Sequence, residues 1–178
     1  LVGDSVRGSL RDLTLDRLGA IDHALVAERY FRDDLASEIE GFDRVSAGVL
    51  IRGSIENAQS GARASKINIH GVDDTFWGFY EHPAPEIGTR DVVINETLAR
   101  ELGVAVDQAI LLRFQTDTLV PAESVMGRKT DNVRLLRLTV VEILDNSGPG
   151  RFGLSPNQQL PFNVFVSRDV LQRGLEQP

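Results

Sequence analysis

Residues 90–115 decide the fold, and they read RDVVINETLARELGVAVDQAILLRFQ. Residues 92–94 form a short β-branched run, which predicts a buried strand. Asn95 then predicts a helix start, because its side-chain oxygen can accept a hydrogen bond from a backbone N–H one turn later. Gly103 predicts the end of that helix, since glycine adopts the left-handed conformation without strain. Large apolar residues recur at every second position over residues 110–114, so a second strand is expected to follow.

The rest of the chain carries further helical and strand patterns. Predicted helices cover residues 1–19, 33–39, 74–80 and 167–175, and predicted strands cover residues 21–31, 45–51, 66–71, 135–144 and 162–166. Loops rich in polar residues, glycine or proline are predicted over residues 57–65, 116–133 and 145–161. Residues 135–144 are apolar on both faces, which is typical of a central strand. Together these patterns predict an α+β protein.

The composition is that of an acidic globular protein. The 178 residues are 42% hydrophobic and carry a net charge of −7, so we expect a well-formed core and no nucleic-acid partner. The absence of cysteine excludes a disulfide framework and a thiolate site. No apolar run approaches the roughly 18 residues of a membrane span. The chain begins at Leu1 rather than methionine, so we expect a processed protein or an excised fragment.

Residues 92–114, VVINETLARELGVAVDQAILLRF, resemble a segment of the extracytoplasmic domains of the MacB-like periplasmic core type. Those domains belong to permease subunits of ABC transporters in the FtsX/LolC/MacB class. A strand, a Leu-Ala-x-x-Leu-Gly helix, an x-Val-Gly-Asp turn and a second strand recur in that family. The turn differs here, because Asp107 directly follows Val106 and the usual glycine is missing.

Further segments extend the resemblance over nearly the whole chain, in the family's order. They are GDSVRGSLRDLTLDRLG (residues 3–19), SKINIHGVDDTFWGF (65–79), LLRLTVVEIL (135–144) and NVFVSRDVLQRGL (163–175). The first is similar to the helix that emerges from the first membrane span, and the last to the closing strand and helix before the second membrane helix. Those membrane helices are expected to lie outside this sequence.

The resemblance implies a periplasmic or otherwise extracytoplasmic domain of a cell-membrane transporter. Such a domain is coupled to an ABC ATPase subunit, and it acts through conformational change and through contact with a substrate or an adaptor protein. It is not itself an enzyme, and no cofactor is expected. No Walker A pattern is present in the sequence, so nucleotide hydrolysis is expected on a separate subunit or domain.

Two subdomains are expected from the punctuation of the chain. Pro83 and Pro85 break regular structure, because each proline lacks an N–H and restricts the preceding residue. We therefore expect residues 1–82 and 135–178 to form an α/β sandwich, the "porter-like" lobe, with residues 83–134 inserted as a smaller strand-rich lobe. Pairing of residues 92–94 with residues 136–144 in one sheet would contradict this division.

Aromatic residues and a long loop are the candidate partner-contacting surface. Four aromatics fall within five residues and cannot all face one core, so part of the set is a candidate for partner contact; an aromatic plug beneath the sheet is the alternative interpretation. The loop of residues 145–161 is expected to be mobile, because its glycines and prolines lack anchoring side chains. The candidate contact residues are Phe76, Trp77, Phe79, Tyr80, Arg151 and Phe152.

Patterns typical of enzymes are few and incomplete. Residues 148–153 match G-x-G-x-x-G, but the loop continues through Pro156 where a dinucleotide site needs a helix to begin. No nucleophile, base and oxyanion set converges, so no catalytic residue and no metal ligand is assigned. Two other functions stay open: a self-contained metal-dependent hydrolase built around His70 and His82, and a stand-alone partner-binding module.

Overall fold

The computed structural model describes residues 2–27, 32, 35–116, 133–155 and 159–175, with side chains from residue 8 onward. The described helices are α1 (Val2–Leu18), α2 (Leu35–Glu38), α3 (Asp74–Trp77), α4 (Glu96–Leu102) and α5 (Arg168–Leu175). The described strands are β1 (Val49–Asn57), β2 (Arg63–Val72), β3 (Asp91–Asn95), β4 (Ala109–Gln115), β5 (Val133–Leu144) and β6 (Asn163–Ser167). Two short 3₁₀ turns cover Gly78–Tyr80 and Gly148–Arg151.

The strands close into one barrel in the order β1-β2-β6-β3-β5-β4. The β2–β6 and β3–β5 pairs are parallel, and the other four pairs are antiparallel. Closure pairs β1 with β4, so that Ile55 lies opposite Leu112. A closed barrel leaves no long strand edge free to pair with another chain.

Strands β3 and β6 are buried on both faces. On one face Val92, Ile94, Val164 and Val166 join the barrel core, which also contains Leu98 and Leu102 of α4 and Leu171 of α5. On the opposite face Val93 and Phe165 belong to a second cluster, with Phe76, Trp77 and Phe152. A strand covered on both faces reads as a continuous apolar run, and the predictions of strands at residues 92–94 and 162–166 are confirmed.

The local expectations for residues 90–115 are confirmed. The side chain of Asn95 accepts from the backbone N–H of Leu98 and so caps α4. Gly103 ends α4 in the left-handed conformation, with φ of 57°. Asp107, which stands where the resembled family has glycine, also takes a positive φ of 69°. Outside this stretch, the side chain of Asp73 caps α3, which starts within the predicted helix of residues 74–80, and accepts from the N–H of Phe76.

The expected sandwich lobe with an inserted lobe is wrong for the described strands. β3 and β4, which belong to the expected insertion, pair with β5, β6 and β1 in the same barrel. Val92 lies opposite Val140 in the parallel β3–β5 pair, which is the pairing that contradicts the division. The prolines near residue 84 do interrupt regular structure, but an interruption along the chain does not divide a sheet whose strands pair across it. The mixed helix and strand content agrees with the α+β class.

Several predicted boundaries move. The expected strand over residues 21–31 is irregular over residues 21–27, and residues 28–31 lie outside the described residues. Residues 45–48 are irregular too, since β1 begins at Val49, and β2 begins at Arg63 inside a predicted loop. Most of the loop predicted over 116–133 lies outside the described residues. In the part of the chain that the structure describes, no helix combines the length and apolarity needed to cross a bilayer.

Candidate functional site

The outer face of β3 and β6 carries an aromatic cluster. Phe165 lies at its centre, with ring centroids 5.3 Å from Trp77 and 5.8 Å from Phe76. Phe152, from the loop after β5, packs edge-on against Phe76 at 5.1 Å. Edge-to-face contacts of this kind stabilise aromatic pairs by about 0.5–1.5 kcal/mol beyond area burial. The cluster therefore holds α3 and residues 148–155 (the 148–155 segment) against the barrel.

The six candidate contact residues divide by burial. Phe76, Trp77 and Phe152 are buried in the aromatic cluster, so their side chains offer no surface to a partner. They form the aromatic plug that was the alternative interpretation. Phe79, Tyr80 and Arg151 are half-buried, and the guanidinium of Arg44 lies 5.6 Å from the centre of the Phe79 ring.

Asn95 does more than cap α4. Its Nδ2 donates to the carbonyl oxygen of Gly150 at 3.0 Å and to that of Pro161 at 2.7 Å. Its Oδ1 accepts from the backbone N–H groups of Leu98 and Asn163. A single buried side chain therefore joins β3, α4, β6 and the loop between β5 and β6.

Asn163 forms the second half of this network. Its Nδ2 donates to the carbonyl oxygens of Gly150 at 3.2 Å and Phe152 at 2.9 Å. Since both donors of the amide are used, its Oδ1 is the acceptor, and it receives Asn68 Nδ2 at 3.1 Å and His70 Nε2 at 3.2 Å. Buried polar groups that are fully paired rigidify the segment they bind.

His70 is buried with its ring stacked on Phe165 at 4.9 Å and edge-on to Phe152 at 5.1 Å. Because Asn163 presents an acceptor, Nε2 carries the proton and Nδ1 is the bare ring nitrogen. Nδ1 is buried and has no hydrogen-bond partner among the described residues. Burial lowers the pKa of His70 from 6.5 to about 4, against a smaller opposite effect of the Asn163 hydrogen bond.

Helix α1 meets the body of the protein through its last turn. Asp16 Oδ1 accepts from the backbone N–H of Gly148 at 3.0 Å, and Arg17 Nη1 donates to the carbonyl oxygen of Ser155 at 2.6 Å. The Tyr80 hydroxyl donates to the carbonyl oxygen of Arg17 at 2.9 Å. Burial, followed by the nearby Asp16 carboxylate, raises the pKa of Tyr80 above its usual range, so the hydroxyl stays a donor at neutral pH.

Residues 8–16 of α1 point away from the barrel. Leu10 is 55% exposed, Leu13 44% and Leu15 53%, and residues 8–16 are all exposed. Among the described residues, the contacts that attach α1 to the rest of the protein are those of its C-terminal end with the 148–155 segment and the 3₁₀ turn at residues 78–80.

The structure does not bring His70 and His82 to a common site. His70 contacts Phe165, and the ring of Trp77 lies between Phe165 and His82 in a chain of ring contacts. His82 is near the surface, with Nε2 3.5 Å from a carboxylate oxygen of Glu142. Within the described ranges, no group of three or more His, Cys, Asp or Glu residues could hold a metal ion.

The loop after β5 contains the anchors that sequence reasoning missed. Gly150 and Phe152 bind Asn95 and Asn163 through their carbonyl oxygens, and Phe152 is buried, so the premise that this loop lacks anchors is wrong. One feature of the sequence could have indicated Asn163: it is a polar residue at the start of a buried apolar run.

Residues 148–151 form a 3₁₀ turn and residues 152–155 are irregular, so no helix begins there to hold a dinucleotide. Residues 156–158 lie outside the described residues.

No family model and no curated protein sequence matches this chain. The solved structures that are similar to this chain include two transporter domains. One is the extracellular domain of the noncanonic ABC-type transporter YknZ from Gram-positive bacteria, with a TM-score of 0.49 and 9% identity over 81% of this chain. The other is the periplasmic region of MacB from Actinobacillus actinomycetemcomitans, with a TM-score of 0.45 and 5% identity over 75% of this chain. The chain spans 64% and 51% of the lengths of those two structures.

Proposed function

We propose that this chain is the extracytoplasmic domain of an ABC-transporter permease subunit of the MacB/FtsX/LolC class. The observation that carries the proposal is the order of the family-like segments along the sequence. They correspond in turn to α1, to β2 with α3, to β3-α4-β4, to β5, and to β6 with α5. Each quoted segment covers most or all of one element or unit of the fold, and together they include residues of five of the six described strands.

In this role the domain works by conformational change. The resemblance identifies α1 with the helix that emerges from the first membrane span. Its last turn is bonded to the 148–155 segment and to Tyr80, so a displacement of α1 would reach the aromatic cluster first. The domain would thereby couple a separate cytoplasmic ATPase to export or to lipoprotein release.

The contact with an adaptor or substrate-carrier protein is proposed at Phe79, Tyr80 and Arg151. These half-buried residues lie beside the end of α1, where displacement of that helix changes the surface. A photocrosslinking residue at position 79 in the intact transporter is expected to capture the adaptor. Arg151→Glu is expected to reduce capture, while Arg52→Glu, an exposed change on β1, is the matched control.

The first test asks on which side of the membrane this domain lies. These 178 residues contain no cysteine, so a cysteine introduced into the domain is its single labelling site. Gln59→Cys is placed at the exposed β1–β2 turn, and Ala64→Cys at a buried position of β2 that is 4% exposed. In the full-length protein, a membrane-impermeant maleimide is expected to label position 59 in intact spheroplasts and position 64 only after denaturation. Labelling of position 59 that requires permeabilised membranes would contradict the proposal.

Coupling is the second test. The full-length permease is expected to copurify with an ABC ATPase, and the ATPase rate is expected to depend on this domain. Loosening the junction with Arg17→Ala and Tyr80→Phe should reduce transport while the ATPase subunit stays bound. A full-length protein that binds no ATPase would instead support the stand-alone binding module.

We also propose that the domain contains no catalytic or metal centre. The direct test is metal analysis of protein purified without a chelator. We expect less than stoichiometric metal. One zinc per chain that is lost on His70→Ala would overturn this statement and favour the hydrolase.

A further inference from the structure

Among the described residues, His70 is the one titratable side chain in the buried core; the other buried polar residues are Asn57, Asn95 and Asn163. It lies on β2 at the border between the barrel wall and the 148–155 segment. Its ring touches Phe152 of that segment, and its Nε2 donates to the side-chain oxygen of Asn163, whose amide nitrogen donates to the segment's carbonyl groups.

A second proton on His70 has no place in the closed structure. The added N–H would be at Nδ1, which faces no acceptor among the described residues, and a charge without a partner is costly in an apolar environment. Burial and Asn163 are the two causes that move the pKa of His70, and no charged side chain contributes. The elements packed around it carry these charged residues: Arg52 and Glu56 of β1, Arg63 and Lys66 of β2, Asp74 of α3, Arg168, Asp169 and Arg173 of α5, and Arg151 of the 148–155 segment.

The protonated ring is stabilised only if water or an acceptor reaches Nδ1. One of the two aromatic side chains that cover the ring, Phe152 or Phe165, must therefore move. Phe165 belongs to β6, which is paired on both sides within the barrel. Displacing it would break the sheet. Phe152 belongs to a four-residue 3₁₀ turn and the irregular residues after it, which are held mainly by side-chain amides and by the end of α1. The 148–155 segment is therefore the cheaper cover to open.

We propose that the 148–155 segment is a proton-released latch: protonation of His70 undocks it from the aromatic cluster, and the last turn of α1 with it, while the barrel stays folded. The release of α1 follows because Asp16 and Arg17 are bonded to Gly148 and Ser155 of the latch. Opening breaks the bonds of Asn163 to Gly150 and Phe152 and the bond of Asn95 to Gly150, and the β-ladders are kept.

Hydrogen exchange with mass spectrometry tests this in the intact chain at pH 7, 6 and 5, with rates corrected for the intrinsic pH dependence of exchange. If His70 titrates at about 4 when closed and at 6.5 when open, protection of the 148–155 amides should fall about 20-fold between pH 7 and pH 5. Amides of residues 12–20 should follow. Amides of residues 138–143 in β5 exchange only on global unfolding, so at every pH their protection should stay far above that of the 148–155 amides.

The sequence has three histidines, so each variant isolates one. His23→Gln and His82→Gln are expected to keep the acid response. His70→Gln should remove it, because glutamine can donate to Asn163 but does not titrate. An acid response that survives His70→Gln, or 148–155 amides that are as strongly protected as those of β5 at pH 5, would overturn the latch.

A measurement on the unsubstituted protein tests the proposal even if the His70 variant does not fold. The imidazole resonances of His70 are followed by NMR beside the amide resonances of residues 148–155. The latch predicts that both change together as the pH falls. Titration of His70 without any change at residues 148–155 would overturn the proposal.

Discussion

At the scale of single residues, Asn163 determines more of the structure than any charged group near it. It uses both amide protons and its oxygen on four partners in the loop and in β2. Asn163→Ala should lower the free energy of unfolding by about 2–4 kcal/mol, because buried carbonyl groups lose their donors. Urea unfolding measures this, with Gln59→Ala at the exposed turn as the control. A loss below about 1 kcal/mol would mean that water replaces the amide.

His70 should make the stability of the whole domain fall in acid. Its folded pKa is lowered from 6.5 to about 4, so the unfolded chain takes up the proton first as the pH falls. The stabilisation is complete above pH 6.5 and is lost towards pH 4, at up to about 1.4 kcal/mol per pH unit. Between pH 7 and pH 5, the unsubstituted protein should lose about 2 kcal/mol more than His70→Gln in urea unfolding. Equal losses in the two proteins would contradict the burial of a neutral imidazole.

Asp107 adopts a backbone conformation that favours glycine. Its φ is 69°, and aspartate tolerates this region better than β-branched residues do. Asp107→Val should therefore be less stable than Asp107→Gly by about 1–2 kcal/mol. Thermal unfolding of the two variants side by side is the measurement. If the valine variant is as stable as the glycine variant, the turn does not need this conformation.

At the scale of elements, the loop after β5 behaves as part of the packed structure. A Cβ on Gly150 would clash with the carbonyl oxygen of Asp145, whereas a Cβ on Gly8 in α1 meets nothing within 4 Å. Gly150→Ala should destabilise the domain by about 2–4 kcal/mol. Gly8→Ala should raise the stability of α1 by about 0.5–1 kcal/mol.

Circular dichroism during thermal unfolding compares these two glycine variants. Both changes add one methyl group, so the difference in stability between the two variants reports the close packing at Gly150 against the helix propensity at Gly8. Equal melting temperatures for the two variants would show that the 3₁₀ turn at residues 148–151 can move aside at little cost.

At the scale of the whole molecule, closure of the barrel makes the described strands one unit. β3 and β4 are bonded to β6, β5 and β1, so opening them alone would break ladders on both sides. Native-state hydrogen exchange should therefore give the same free energy of opening for β3, β4 and β5, equal to that of global unfolding. A separate, lower opening energy for β3 and β4 would restore an independently unfolding lobe.

Local sequence was enough to predict those helix ends and strands whose determining residues lie within one turn or one strand. The Asn95 cap, the Gly103 stop, the Asp73 cap and the apolar runs of β3 and β6 could be predicted because propensity, capping and period act on neighbouring residues. The aromatic plug was weighed as the alternative to an exposed surface, and burial of Phe76 and Trp77 decides for it.

Only the tertiary structure decided how those elements meet. Prolines at 83 and 85 interrupt the chain whichever strands later pair, so they carried no information on whether the sheet divides. The join of β1 to β4 depends on residues more than 50 positions apart, and the anchoring of Gly150 and Phe152 depends on amides from β3 and β6. Such contacts arise from shape and hydrogen-bond pairing between distant segments. A one-dimensional pattern does not record them, and for that reason the latch around His70 became visible only in the folded molecule.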